Sequence, residues 1–383
     1  MSDEKTKIII TGSTGTVGTY ASLFMARLGA ADHLYIASRT PEKAANVFYN
    51  SQVNAVMRGQ KTLVEPLTLN IPNVEETAEK LLRIKPTVIL NCAAAMSLYS
   101  FFPAMRRRQR KMGMIPGFAH TLPKDMALLW PLMKAVKMAV PDTVVVNFAA
   151  PDIASVILTP VSLAPTIGAG TLDSTAHGVK LGIAKHLGLP PHCVEVRLVA
   201  HHAIRRYPAK EVPFILRITV NGEDYTRRFD QEQLDGFIDH ATDITGVETM
   251  NTPVTNNASV TAASGVETSR CILLNTGEIR HGSGVKGIPG GTPVRLSRKE
   301  VEVALPEGVT FEEAVHVNTI GMKLDGLESV DQDGTVHFTE KECYWLENGL
   351  GLNWKTMRLE ETEKMWPELD AAYKRMKKVE ESA

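Results

Sequence analysis

The chain has 383 residues, 44% apolar and 22% charged, and its 42 basic against 43 acidic residues leave a formal charge of −1. That composition builds a globular protein with a sizeable core, as one large or two ordinary domains. It excludes a global electrostatic pull toward nucleic acid, and apolar runs such as TVIL and TVVV are strand-length, far short of the roughly 20 residues of a membrane span. The charged start MSDEKTK reads as no secretory signal, and the four cysteines (92, 193, 271 and 343) stand too far apart for a metal cluster. Free thiols in a cytoplasmic protein are expected, with no metal, nucleic acid or membrane among its partners.

Lys7 to Thr11 form a short β-branched run that predicts a buried parallel strand. Glycines follow at 12, 15 and 18, and Tyr20 to Leu28 carries apolar residues at helical spacing. Strand, glycine turn and helix in this order are the setting of a dinucleotide-binding motif. Gly12 permits the tight turn, Gly15 lets backbone approach a pyrophosphate, and Gly18 lets helix pack on strand. Ser13, Thr14, Thr16 and Val17 complete the expected cofactor turn, with the helix N-terminus facing the phosphates. The second strand, HLYIASRT (33–40), ends in Ser38, Arg39 and Thr40 with no carboxylate to hold a ribose 2′-hydroxyl. An arginine and two hydroxyls suit a 2′-phosphate, so NADP is the expected cofactor. The alternative is that Arg39 is a solvated loop residue.

Helix is predicted over 41–59, strand over 62–70, helix over 74–84, strand over 86–94, helix over 122–140 and strand over 141–152. Pro131 must kink or interrupt the helix that contains it. Such alternation builds a parallel sheet with right-handed crossovers, and its ligands bind at the carboxyl ends of the strands. Asn91, with Ala93, and Asn147 fall at such ends, as ligand contacts or as turn caps. Between Ala94 and Leu122 come Arg106, Arg107, Arg108, Arg110 and Lys111. This run is either a solvated surface or a lid. Pro103, Gly113, Pro116 and Gly117 bracket it as hinges, so it would bring Arg106, Arg108 or Arg110 onto an anionic substrate.

In the second half, GAGTLDS (168–174) opens a helix ending at Gly188, and the strand VEVRLVA runs into His201 and His202, with Arg205 and Arg206 behind. This order resembles the lactate/malate dehydrogenase superfamily, where a G-x-G-T-x-L-D-S segment opens a helix and the next strand ends at the catalytic histidine. GSTGTVG is similar to the glycine turn of the NADP-using malate dehydrogenases. The strand at 86–94 with its basic loop resembles the family's mobile substrate loop. PDTVVVNFAAPD, NTPVTNNASVTAASGVETSRCIL and HGSGVKGIPGGTPVRLSRKEVEVALPEG resemble its asparagine strand, late helix and final hairpin. The resemblance covers about 1–325. It implies hydride transfer between a nicotinamide and a hydroxy or oxo compound, a 2-hydroxy acid or a derivative of one. It gives His202 the acid/base role and Asp173 the task of orienting it. Asp173 alternatively caps its helix or pairs with His177, and His201 remains open as the acid/base.

The chain also departs from the family pattern. The arginine expected three residues after the aspartate is Ala176, Asn147 is separated from Pro151 by Phe-Ala-Ala, and Ala203 follows the histidine. Either Arg205 or Arg206 supplies the carboxylate clamp, or the substrate is not a simple 2-oxo acid. Further on, LESVDQDGTVHFTEKE predicts a hairpin at its Asp-Gly turn. The charged tail from Asn353 predicts an amphipathic helix, broken near Pro367, that packs on its own domain or on a partner subunit. The expected fold class is α/β, an N-terminal Rossmann-type parallel sheet with a C-terminal α+β substrate domain. The expected units are 1–152 for NADP, 153–345 for catalysis and 346–383 as a helical tail, in a homodimer or homotetramer. Two other readings share the fold: an NAD-dependent glycosidase needing a divalent metal, and a non-catalytic NADP-binding sensor or regulatory subunit.

Overall fold

The computed structural model of the chain describes residues 5–245 and 257–382. Six parallel strands form its centre: β1 (Lys7–Thr11), β2 (His33–Ser38), β3 (Leu63–Thr68), β4 (Val88–Asn91), β5 (Val144–Asn147) and β6 (Ile167–Gly168), in the order β3-β2-β1-β4-β5-β6. The helices between them are α1 (Thr16–Leu28), α2 (Pro41–Met57), α3 (Val74–Ile84), α4 (Phe102–Met112), α5 (Leu122–Ala139) and α6 (Ala154–Leu158). Ile8, Ile9 and Ile10 of β1 have no exposure. Successive strand residues point to opposite faces, so Ile8 and Ile10 join one core layer and Ile9 the other. The helix predicted at 74–84 has those bounds, because Asn73 caps it by accepting from the Glu76 amide and Lys85 ends it in the left-handed region.

Past β6 the chain leaves the sheet and returns to it. α7 (Thr171–Leu187), β7 (Val194–Val199), β8 (Ile215–Val220), β9 (Glu223–Asp224) and α8 (Gln231–Thr245) build a separate layer around Val179, Ile183, Leu198 and Ile218. After α9 (Ala258–Leu273), the strands β10 (Ile279–Ser283), β11 (Gly291–Leu296) and β12 (Val301–Val303) form an antiparallel meander joined to β6 through β10, so among the described residues one sheet of nine strands spans both halves. The late-helix resemblance at 251–273 is therefore described from Asn257 onward, and its first residues lie outside the described set. α10 (Phe311–Leu324) leads to the hairpin β13 (Leu327–Val330) and β14 (Val336–Phe338), which turns at Asp333-Gly334 as predicted. β15 (Thr356–Met357) lies beside β14. α11 (Glu340–Trp345) and α12 (Thr362–Ser382) close the chain.

A kink or an interruption is expected at Pro131, and a break near Pro367. Both helices run through, each without the one backbone hydrogen bond that proline cannot donate. The tail packs on its own chain: Leu369, Tyr373 and Met376 of α12 share one core with Leu129 and Met133 of α5. The basic run is also not a loop. It forms α4, and Arg108 Nε and Lys111 Nζ hold Glu380 of α12 at 2.7 and 2.8 Å. The Lys111 hydrogen bond and the Arg108 charge keep the Glu380 carboxyl below its ordinary range, despite some burial. This run is a helix face clamped by the tail, where the sequence left a lid open.

Candidate active site

The turn between β1 and α1 is closed by the Gly15 amide donating to Gly12 O at 3.0 Å. Gly12 has φ 62°, and a Cβ there would meet Ala93 N and Cys92 O at 2.7 Å. A Cβ on Gly18 would stand 2.2 Å from Gly12 O. Backbone therefore packs on backbone, and the turn lies flat enough for a phosphate chain. Ser13 has a different place from the one expected. Its hydroxyl is buried and donates to Ala37 O at 2.9 Å, tying the turn to β2. Thr14, Gly15, Thr16 and Val17 face open space instead. Gly18→Ala is expected to shift the turn and weaken binding of a dinucleotide at least about tenfold. Fluorescence titration checks this, and an unchanged Kd would mean the turn holds no cofactor.

On the β2 side of the turn is a cavity of about 260 Å³, walled by Gly12, Thr14, Gly15, Ser38, Arg39, Thr40, Lys43, Ala93 and their neighbours. Among the described residues, Arg39 and Lys43 are its charged residues and no carboxylate borders it. The Ser38 hydroxyl meets the Thr40 backbone, its carbonyl and its amide each at 3.2 Å, and Thr40 precedes Pro41 at the start of α2. Two cations, two hydroxyls and a helix N-terminus are a donor set fit for a phosphate monoester. Cys92 borders this cavity too; burial pushes its thiol well up, so it stays an unreactive neutral group.

The other side opens into a cleft of about 480 Å³ between the glycine turn and His202. β7 delivers two histidines to its end, and they divide. His201 is fully buried, its Nδ1 accepts the Ala203 amide at 3.2 Å, and burial lowers its pKa, so it is a neutral packed ring. His202 borders the cleft, its Nδ1 lying 3.1 Å from Asp325 Oδ2 and its ring 5.1 Å from Phe118, edge to face. Asp325 is the buried residue that caps the C-terminus of α10, and it receives Phe118 N and Ala119 N on its own carbonyl. Burial opposes ionisation of its carboxyl. His202, with His201 and Arg206 behind it, outweighs that effect and holds the carboxyl at about 2. An imidazole backed by a fixed carboxylate is poised to exchange a proton through its other nitrogen.

Several expected site residues lie elsewhere. Asp173 does not reach His202: it accepts Arg280 Nη2 at 2.7 Å and the His281 amide at 3.4 Å, with His177 Nδ1 at 3.6 Å. Burial raises its pKa, but Arg280 overrides burial and keeps it ionised. His281 is itself a buried neutral acceptor for the Leu198 amide, its pKa pushed down to about 3 by burial. Asn91 and Asn147 are fully buried and bonded to each other at 2.9 Å. Thr11 donates to the first, and the second clasps both polar groups of Ala149, so they cap the strand ends. Arg206 lies 4.1 Å over the Phe118 ring and donates to Pro116 O at 2.6 Å. Arg205 is buried, and none of Arg106, Arg108, Arg110, Arg205 and Arg206 borders the cleft. Cys193 precedes β7 while His202 follows it, so the cysteine–histidine metal pair of a glycosidase has the length of a strand between its members. Among the described residues no three His, Cys, Asp or Glu side chains form a group able to hold a metal.

No protein-family model and no curated protein matches the chain. Solved structures do match. The malate dehydrogenase from Picrophilus torridus superposes with a TM-score of 0.60 at 17% identity, over 84% of this chain and 95% of that one. The lactate dehydrogenase from Cryptosporidium parvum, complexed with lactic acid and nicotinamide adenine dinucleotide, gives 0.59 at 19% identity over 85% and 99%. The lactate dehydrogenase from Eimeria maxima with NADH and oxamate gives 0.58 at 16% identity over 84% and 92%. The fold is that of the malate and lactate dehydrogenases.

On this dehydrogenase fold, sequence reasoning missed Asp325, Phe118, Lys43 and the pair Lys124–Asp125. Lys124 Nζ donates to Asp125 Oδ1 at 2.6 Å on the cleft wall. The one local signal was PKD in the first turn of a predicted helix, which also reads as ordinary helix-start chemistry. The loop carrying Phe118 is held from beneath: Glu342 of α11 accepts Gly117 N, His120 N and His120 Nδ1 at 2.7, 2.9 and 2.6 Å, and His120 Nε2 meets Tyr373 OH at 2.6 Å. All three side chains are fully buried.

Proposed function

We propose that the chain is an oxidoreductase that moves a hydride between NADP(H) and a small hydroxy or oxo compound. The observation that carries this is one cleft with the glycine turn on one wall and His202, backed by Asp325, on another. A bound nicotinamide supplies the hydride acceptor or donor. Gly12, Thr14, Gly15, Thr16 and Val17 would hold its pyrophosphate, with Ala93 beside them. Ser38, Arg39, Thr40 and Lys43 would hold the 2′-phosphate. Asp325 keeps the Nδ1 proton of His202 in place, so His202 takes the substrate hydroxyl proton, or returns it, through Nε2. Asp173 pairs with Arg280 and does not touch this exchange.

NADPH oxidation by the purified chain against a panel of carbonyl compounds, run beside NADH, tests the reading. Turnover with NADPH preferred supports it. Tight NADPH binding with no turnover of any carbonyl would replace it with a sensor or regulatory role. Arg39→Ala is expected to raise the NADPH KM about 10- to 100-fold, the worth of one or two charge-assisted hydrogen bonds, with the NADH KM unchanged. Equal loss for both cofactors would count against a 2′-phosphate site. We further place the enzyme in the cytoplasm, where its four free cysteines stay reduced, and in a homodimer or homotetramer. Tyr49, Val53, Val56 and Met57 on one stretch of α2 are more than half exposed, an apolar face suited to a second copy. Light scattering decides the oligomeric state.

A further inference from the structure

The charges on the cleft wall have one sign in excess. Among the described residues, Lys124 is the one lysine or arginine that borders it, and Lys124 is already held by Asp125 at 2.6 Å. Residues 246–256, outside the described set, contain no lysine or arginine either. Against that lysine stand three carboxylates: Asp125, Asp152 and Asp325. Asp152 is buried at the end of the segment after β5. Its Oδ1 accepts the Ser283 hydroxyl at 3.1 Å, and its Oδ2 is buried with no hydrogen-bond partner; Asp325 Oδ1 is likewise buried without one. Carboxylate oxygens left without a donor beside the cleft add uncompensated negative charge to its wall, which disfavours an anion. Leu98, Tyr99, Phe102, Phe118 and Phe148 give the wall a large apolar and aromatic share, beside the neutral hydroxyls of Ser97, Thr121, Thr171 and Thr261. The position of the missing arginine, Ala176, is packed inside the protein.

We infer that the substrate carries no carboxylate beside its reacting carbon: it is an uncharged hydroxy or oxo compound with an apolar body, and Asp152 sets this preference by repelling an acid. The inference rests on the oxidoreductase reading and narrows it. A carboxylate brought into this cleft meets net negative charge in a low-dielectric space and has no bidentate cation to receive it.

The test uses three compounds that share one skeleton: 2-oxo-4-phenylbutanoate, its ethyl ester and its amide, each with NADPH and the full chain. The ester and amide are expected to exceed the acid in kcat/KM by at least about tenfold, the smallest effect of one unscreened like charge in such a site. In Asp152→Asn, checked for folding by circular dichroism, the gap is expected to narrow through a gain in acid turnover. An acid that matches or outruns its ester overturns the inference and leaves the oxidoreductase reading standing. A gap unaltered in folded Asp152→Asn removes Asp152 from the account. Reduction of none of the three, nor of any other ketone in the panel, removes the oxidoreductase reading and this inference with it.

Discussion

His202→Gln is expected to lower kcat for carbonyl reduction about 10²- to 10⁴-fold, the range of a positioned general acid, with NADPH affinity unchanged. Glutamine keeps a polar side chain of similar reach but cannot gain or lose a proton. Asp325→Asn is expected to lose nearly as much. Asp325 Oδ2 faces His202 Nδ1 at 3.1 Å, and an amide there can present its own N–H, which turns the imidazole to the wrong tautomer. The double variant should be little worse than either single one, because the two groups act as a unit. Single-turnover kinetics read all three. A His202→Gln enzyme within threefold of wild type would move the proton exchange to another group. The pH dependence of activity will not come from Asp325. Its carboxyl, held at about 2 against an ordinary 3.8, is ionised through any working range. A group whose folded pKa is lowered stabilises the fold fully above its unfolded value, and that contribution fades only as pH falls toward 2.

Glu342→Ala is expected to cost about 3–5 kcal/mol of stability, because it strips a fully buried carboxylate from two backbone amides and a histidine. For a chain of this length that is a fall in Tm of about 5 °C. The amides concerned, Gly117 and His120, flank Phe118, which packs on His202. Activity at a temperature where the variant is folded should therefore fall as well. Glu342→Gln retains one acceptor oxygen and should lose less of both. Thermal denaturation by circular dichroism, paired with turnover at 20 °C, separates the two effects. A Glu342→Ala protein as stable as wild type would mean that water replaces the carboxylate and that the loop under Phe118 is held by packing alone.

Much of the fold was legible because its signals are local. A helix with Asn73 as its cap and Lys85 as its stop has the predicted bounds, since capping chemistry acts within four residues. The hairpin at Asp333-Gly334 follows from the left-handed backbone of Gly334. The glycine spacing at 12, 15 and 18 foretold a close backbone approach, and only glycine fits at 18 because Gly12 O stands where a Cβ would be. Neither Pro131 nor Pro367 interrupts its helix, for the complementary reason. The cost of a proline is local, but the buried faces of α5 and α12 bind those helices to the core along their whole length.

The sequence by itself determined the glycine turn between the first strand and helix, the parallel alternation of strands and helices, and the arrival of two histidines at one strand end. Each of these needs only neighbours in the chain. Tertiary structure alone decided which partner each polar side chain took. Asp173 went to Arg280, 107 residues away, His202 to Asp325, 123 residues away, and the basic run of α4 to Glu380 near the end of the chain. A buried charge must find an opposite charge or a donor wherever the fold brings one close. That proximity is a property of the packed layers, and no spacing along the chain records it.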